Sequence, residues 1–289
     1  MRPLYRLFQL IQTFCNSVIS KLRIQRYIAS GRQPWATGYK DYKEDFLRNA
    51  LKDADILERF RREDALPAGY GYRIDERVVE YPWVVSRLRP GAGILLDAGS
   101  ALNHGYLVKH GALEGKKMII YTLSPEQTIR NADISYMYGD LRDTVFRENY
   151  FDEIVCISTL EHVGMDNTFL YANDPRFGER RLQDYLKVIE EFRRLLKPGG
   201  QLMITVPFGR YEDHGWLQQF DLPMVDSVIR MFAGSSAHVV YYQYMAEGWH
   251  LSSAEACARS EYYDIHHQTD YDPDLAAAAR AVACMELVK

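Results

Sequence analysis

The chain has 289 residues, 47% hydrophobic and 26% charged, the balance of a globular protein that buries a full core without disulfide or metal staples. Net charge is −4 but unevenly placed. Residues 1–34 hold Arg2, Arg6, Lys21, Arg23, Arg26 and Arg32 and no acid, so the acidic remainder lacks the basic face of a nucleic-acid binder. Cys15, Cys156, Cys257 and Cys284 are scattered and form no C-x-x-C pair, which argues against a zinc or disulfide framework and suits a reducing cytosol.

Residues 4–28 read as a helix, with Leu4, Leu7, Phe8, Ile11, Phe14, Cys15, Val18 and Leu22 at three- and four-residue steps. Gln9, Gln12, Asn16 and Ser17 interrupt the apolar run, making it a poor membrane span. No signal-peptidase site stands out. Two readings stay open for this basic amphipathic helix: it lies on an anionic membrane surface, or it packs on the domain or on a second copy in a homo-oligomer. Gly31–Arg32–Gln33–Pro34 ends it as a linker, giving a first unit of 1–34.

Residues 35–90 form a helical lead-in, with a charged helix over 40–62, a turn at Ala68–Tyr72 and an amphipathic helix over Asp75–Leu88. Residues 91–289 form the main domain. Apolar runs at 94–96, 118–123, 136–140, 151–158 and 201–206 are its strands. Between them, Tyr106–Leu113 is a short helix and Ser124–Pro125–Glu126 a helix start. Leu182, Tyr185, Leu186, Ile189, Phe192 and Leu196 form a further helical stripe, and 238–242 and 281–288 are closing strands. Residues 164–181 and 209–270 are substrate-side insertions. The alternation predicts an α/β fold with a doubly wound, mostly parallel seven-stranded sheet and an N-terminal helical extension.

The chemistry gathers where strands end. Ile94–Leu95–Leu96–Asp97–Ala98–Gly99–Ser100 is an apolar run closed by an acid and a glycine turn, the way a buried strand meets a ligand loop. Further segments follow in order: Leu123–Ser124–Pro125–Glu126, Gly139–Asp140–Leu141, Phe151–Asp152–Glu153–Ile154, Leu160–Glu161–His162–Val163 and Leu196–Lys197–Pro198–Gly199–Gly200. The set resembles the class I S-adenosylmethionine-dependent methyltransferases over residues 75–208.

That resemblance implies a Rossmann-like fold, S-adenosylmethionine as cofactor, and roles for individual residues. Asp97, Ala98 and the Gly99 turn would meet the amino-acid part, with Ser100, Asn103 and His104 in the same loop. Asp140 would accept from the adenine amino group, with Leu141 flanking the ring. Ser158, Thr159 and Glu161 would lie near the sulfonium. The family places an acid at the end of the second strand. Here Thr122 stands there and Glu126 lies four residues on.

Methyl transfer to a hydroxyl gains from a base. His162 is the first candidate, followed by Asp213 and His214. The aromatic density of 209–271 has two readings: the rings pack the back of the sheet, or they suit a small-molecule or glycan-like acceptor. The expected function is O-methylation in the cytoplasm, in glycan biosynthesis, with peripheral contact at the inner membrane surface following only from the first of the two readings of residues 4–28. Two rivals predict other features: a non-catalytic cofactor-binding or scaffold protein of this fold, and an NAD- or nucleotide-sugar-dependent enzyme. His266–His267 lacks a further ligand at helical spacing, so no metal site is read there.

Overall fold

A computed structural model describes residues 18–125, 127–171 and 173–289. Helix α1 (18–29) is the described part of the first predicted helix. Its continuation over 4–17 lies outside the described residues. Tyr27 anchors α1 in the core against Tyr39 and Tyr42, while Val18, Ile19 and Leu22 stay exposed. The 31–34 segment is tied down. Tyr271 donates to the Pro34 carbonyl at 2.6 Å, and Trp35 Nε1 donates to the Ala277 carbonyl at 2.6 Å.

The predicted helix over 40–62 is two helices, α2 (Tyr39–Ala50) and α3 (Ala54–Arg62). Asp53 breaks it by capping α3, its carboxylate accepting from the Asp55 and Ile56 amides. Helix α4 (Arg77–Arg87) follows and is buried along nearly its whole length.

The sheet comprises β1 (Gly93–Ala98), β2 (Lys116–Thr122), β3 (Ile134–Tyr138), β4 (Phe151–Ile157) and β5 (Leu196–Pro207), all parallel. Helix α5 (Tyr185–Leu195) leads into β5. A two-residue ladder, β6 (Glu212–Asp213) with β7 (Gln218–Gln219), and helix α6 (Leu222–Phe232) come next. Strands β8 (Ser236–Met245), β9 (Gly248–Ser252) and β10 (Ala281–Val288) complete the sheet antiparallel, in the order β3-β2-β1-β4-β5-β10-β8-β9.

The sheet therefore has eight strands rather than the seven expected. The added strand is β9, which carries no apolar alternation of its own and forms as the return arm of a hairpin with β8. Elsewhere the period of two sorts side chains cleanly. Leu95, Val155, Met203, Val282 and Cys284 face the lead-in helices. Leu96, Ile154, Cys156, Leu202, Ile204, Ala283 and Met285 face α5 and α6.

Two expected helices are replaced by turns. Tyr106–Leu113 forms only a 3-10 turn at Gly111–Leu113, begun by His110, whose ring accepts from the Ala112 amide. Gly105 and Gly111 weaken any longer helix. After β2 the described residues up to β3 form no helix. There the Ile129 amide donates to the Tyr136 hydroxyl at 2.7 Å, and that hydroxyl donates to Asn103 Oδ1 at 2.9 Å. A backbone donor committed to a side chain is unavailable for a helical turn.

Candidate functional site

The strand order reverses between β1 and β4, and ligands of open α/β sheets lie across the strand ends at such a point. A cleft of about 280 Å³ opens there, lined by Gly99, Thr122, Leu123, Asp140, Leu141, Ser158, Thr159 and His162. Its far wall comes from the 164–181 insertion, through Leu170, Tyr171, Arg176, Phe177 and Glu179.

Local backbone explains the floor. Gly99 has a φ of 107°, and a Cβ there would sit 2.0 Å from Thr159 Oγ1. Only glycine allows the loops after β1 and β4 to approach this closely. Asp97 is fully buried beneath the turn, and its Oδ2 accepts from the Leu102 amide at 2.9 Å. Ala98 and Ser100 are buried beside it. Ser158 has a φ of 38°, outside the range most side chains adopt. Its hydroxyl donates to Glu80 Oε1 at 2.6 Å, the same oxygen that accepts from Thr205 at 2.7 Å. Arg77 holds the other oxygen of Glu80.

Other predicted residues lie elsewhere. Asn103 reaches away to the Gln127 carbonyl and Tyr136. His104 is exposed and stacks on Tyr106 at 5.4 Å. Neither lines the cleft. Glu126 lies outside the described residues. Glu161 is 1% exposed, and burial pushes its carboxyl well up, with Glu80 adding to the effect. Its Oε2 has no hydrogen-bond partner.

His162 sits half-buried at the cleft. Its Nδ1 lies 3.0 Å from the Trp216 carbonyl. A carbonyl only accepts, so Nδ1 carries the proton and Nε2 keeps the lone pair. Burial lowers its pKa to about 4, with Arg77 pushing the same way and the Trp216 bond opposing. His214 and Asp213 are not cleft residues. Asp213 pairs with Arg180 at 2.8 Å, and His214 Nδ1 lies 3.3 Å from Asp264.

Sequence reasoning missed Asp264 and Arg142. Asp264 is 3% exposed and accepts from Trp216 Nε1 at 3.1 Å and from His267 Nδ1 at 2.7 Å. It thereby holds the indole of Trp216, the residue whose backbone carbonyl orients His162. Arg142 lines the cleft and clasps Asp140 through three contacts of 2.6–3.0 Å. Burial would raise Asp140, but the Arg142 bonds and charge prevail and hold it below the usual carboxylate range. A polar residue two positions after a strand-end Asp was the one signal available for Arg142.

The polar lining suits a nucleoside-type ligand: hydroxyls at Thr122, Ser158 and Thr159, an accepting carboxylate at Asp140, and apolar walls at Leu123 and Leu141. A family described as a methyltransferase domain matches residues 96–204. Among solved structures, a Burkholderia thailandensis 1,6-didemethyltoxoflavin-N1-methyltransferase with bound S-adenosylhomocysteine is 13% identical, with TM-score 0.44, covering 83% of this chain and 88% of that one. The YcgJ protein of Bacillus subtilis is 11% identical, with TM-score 0.43, covering 73% and 97%. A Haemonchus contortus phosphoethanolamine N-methyltransferase 2 complex with S-adenosyl-L-methionine is 15% identical, with TM-score 0.42, covering 67% and 45%. No curated protein matches the chain.

Proposed function

We infer that this chain, which carries a class I methyltransferase domain with its family match over residues 96–204, transfers a methyl group from S-adenosylmethionine to a hydroxyl of a small-molecule or glycan-like acceptor. The observation that carries the reading is the convergence of Gly99, Thr122, Asp140, Leu141, Ser158 and Thr159 on one cleft at the switch point. Thr122, Asp140 and Leu141 would hold the nucleoside part of the cofactor. Ser158 and Thr159 lie where strand four ends.

Bound S-adenosylmethionine would supply a methyl group already activated by its positive sulfur. The chain's own task is then to hold the acceptor oxygen in line and exclude competing water. The acceptor oxygen would gain the methyl carbon as the carbon–sulfur bond breaks, leaving neutral S-adenosylhomocysteine, and would lose its proton to His162 Nε2. Burial keeps this half-buried imidazole neutral at pH 7, with Nε2 able to accept. Burial also makes it a weaker base than a free histidine, so positioning of the acceptor carries more of the rate than proton removal does. The ring also passes the proton readily to solvent, which restores the resting state. Asp264 and Trp216 keep the ring in the tautomer this step needs.

The exposed Val18, Ile19 and Leu22, beside Lys21, Arg23 and Arg26, support peripheral contact of α1 with an anionic membrane surface. Such placement suits an acceptor made at that surface. The domain division at 34 and 90 belongs to the same reading.

The deciding experiment is calorimetric titration with S-adenosylmethionine and S-adenosylhomocysteine, repeated on Asp97→Ala and Asp140→Ala. Micromolar binding weakened by both substitutions supports the reading. A folded wild-type protein that binds neither compound removes it. Binding without turnover on any hydroxyl acceptor favours the scaffold alternative, for which Thr122 in place of an acid is the motivating feature.

A further inference from the structure

Three parts of the chain meet at one guanidinium. Arg142 follows β3. Its Nε lies 2.9 and 3.0 Å from the two Asp140 carboxylate oxygens, and its Nη2 lies 2.6 Å from Oδ2. The same group reaches into the insertion, with Nη1 at 2.7 Å from Glu179 Oε2 and Nη2 at 3.0 Å from Oε1. Nη1 also lies 2.7 Å from Asp184 Oδ2, at the N-cap of α5. The Arg142 side chain is only 18% exposed. Asp140, Arg142 and Glu179 all line the cleft.

We propose that Arg142 is a positioning residue that seats the acceptor-side insertion on the cofactor-side carboxylate, so that ligand binding at Asp140 and closure of the insertion are coupled. The proposal deepens the methyltransferase reading and rests on it. Two features make the coupling physical. Three carboxylates would repel one another without the cation between them, and among the described residues only Arg142 reaches all three. Lys187 reaches Asp184 alone, at 2.8 Å. Further, a fork bound on both edges cannot rotate toward one carboxylate without leaving the other. A ligand group that draws on Asp140 therefore changes the grip on Glu179. Lysine keeps the charge but replaces the fork with a point donor.

The insertion carries its own reporter. Arg176, Arg180 and Arg181 have side chains 82%, 78% and 64% exposed, so trypsin reads its mobility directly. In the full-length wild type, saturating S-adenosylhomocysteine is expected to slow cleavage at these three sites by at least about fivefold, the low end of typical site-to-site coupling. Arg142→Lys is expected to bind the same compound within about tenfold of wild type, yet show no ligand-dependent protection. Glu179→Gln is the second variant, should Arg142→Lys fail to fold by circular dichroism, and carries the same expectation. Protection that persists in a variant overturns the coupling, as does wild-type binding without protection. A wild type that binds no S-adenosylhomocysteine overturns the parent reading, and this proposal with it.

Discussion

Gly99→Ala tests the reasoning about the floor of the cleft most directly. Two costs combine. Alanine at a φ of 107° incurs the left-handed penalty of about 1–2 kcal/mol. The new methyl also meets Thr159 at 2.0, 2.6 and 2.8 Å, against Oγ1, Cγ2 and Cβ. Overpacking of that kind costs about 1–3 kcal/mol. Because all three close atoms belong to Thr159, the second cost is separable. Thr159→Gly removes every one of them, along with the Thr159 hydroxyl bond to the Ile157 carbonyl at 2.9 Å. In the pair of substitutions only the backbone term and the Thr159→Gly cost remain. Urea denaturation of wild type, both single variants and the double variant forms a double-mutant cycle. The expected loss for Gly99→Ala is about 2–5 kcal/mol. The expected coupling energy is about 1–3 kcal/mol in the direction of relief. Additive losses would refute the claim that the two loops are in contact, and a loss under about 0.5 kcal/mol, the size of an ordinary surface change, would refute the backbone argument as well.

Thr122→Asp places an acid at the end of β2. A charge-assisted bond adds about 1.5–3 kcal/mol, so S-adenosylhomocysteine should bind about tenfold tighter or better by calorimetry, and unchanged or weaker affinity would sink the assignment of Thr122 to the ribose side. His162 titrates near 4 when folded and near 6.5 when unfolded. The unfolded chain takes the proton first, so the stability His162 contributes is complete above about pH 6.5 and is lost as pH falls toward 4. Between pH 7 and 4.5 the urea midpoint should fall less steeply in His162→Gln than in wild type. Lys116 and Glu153 form an ion pair whose side chains are each 2% exposed. Lys116→Met strands a buried carboxylate and should cost about 3–5 kcal/mol, while Lys116→Met with Glu153→Leu should recover part of it. Equal losses in the single and double variants would contradict the pairing.

The parallel half of the fold was legible because each strand is a short apolar run closed by a turn-forming residue. Leu95–Leu96 before Asp97 and Ile154–Val155 before Ser158 are examples. The cleft could be read for the same reason, since strand ends are fixed once strands are. What escaped was set by tertiary partners. β9 pairs only because β8 is beside it. The helix expected after Ser124 lost a backbone donor to Tyr136, which arrives from the next strand. Helix α6 did announce itself, through Asp221 as cap and Pro223 in the first turn, but its stripe lay within a segment read as insertion. No spacing rule joins Arg142 to Glu179 and Asp184, because the fold alone brings them together.

The placement of β10 bears on how the molecule assembles. It lies between β5 and β8, pairing Val282 with Pro207 on one side and with Tyr242 on the other. The sheet cannot become continuous until a strand made well after β5 threads in beside it, a non-local pairing of the kind that slows folding. The wall residues of the cleft span Gly99 to Glu179, all encoded before that event. A ligand of this cleft would touch only residues encoded before β10, but it meets the finished site once Trp216 and Asp264 have set His162, and so it would hold the late-formed half in place. Its presence during refolding should raise the yield of native protein more than its addition afterwards.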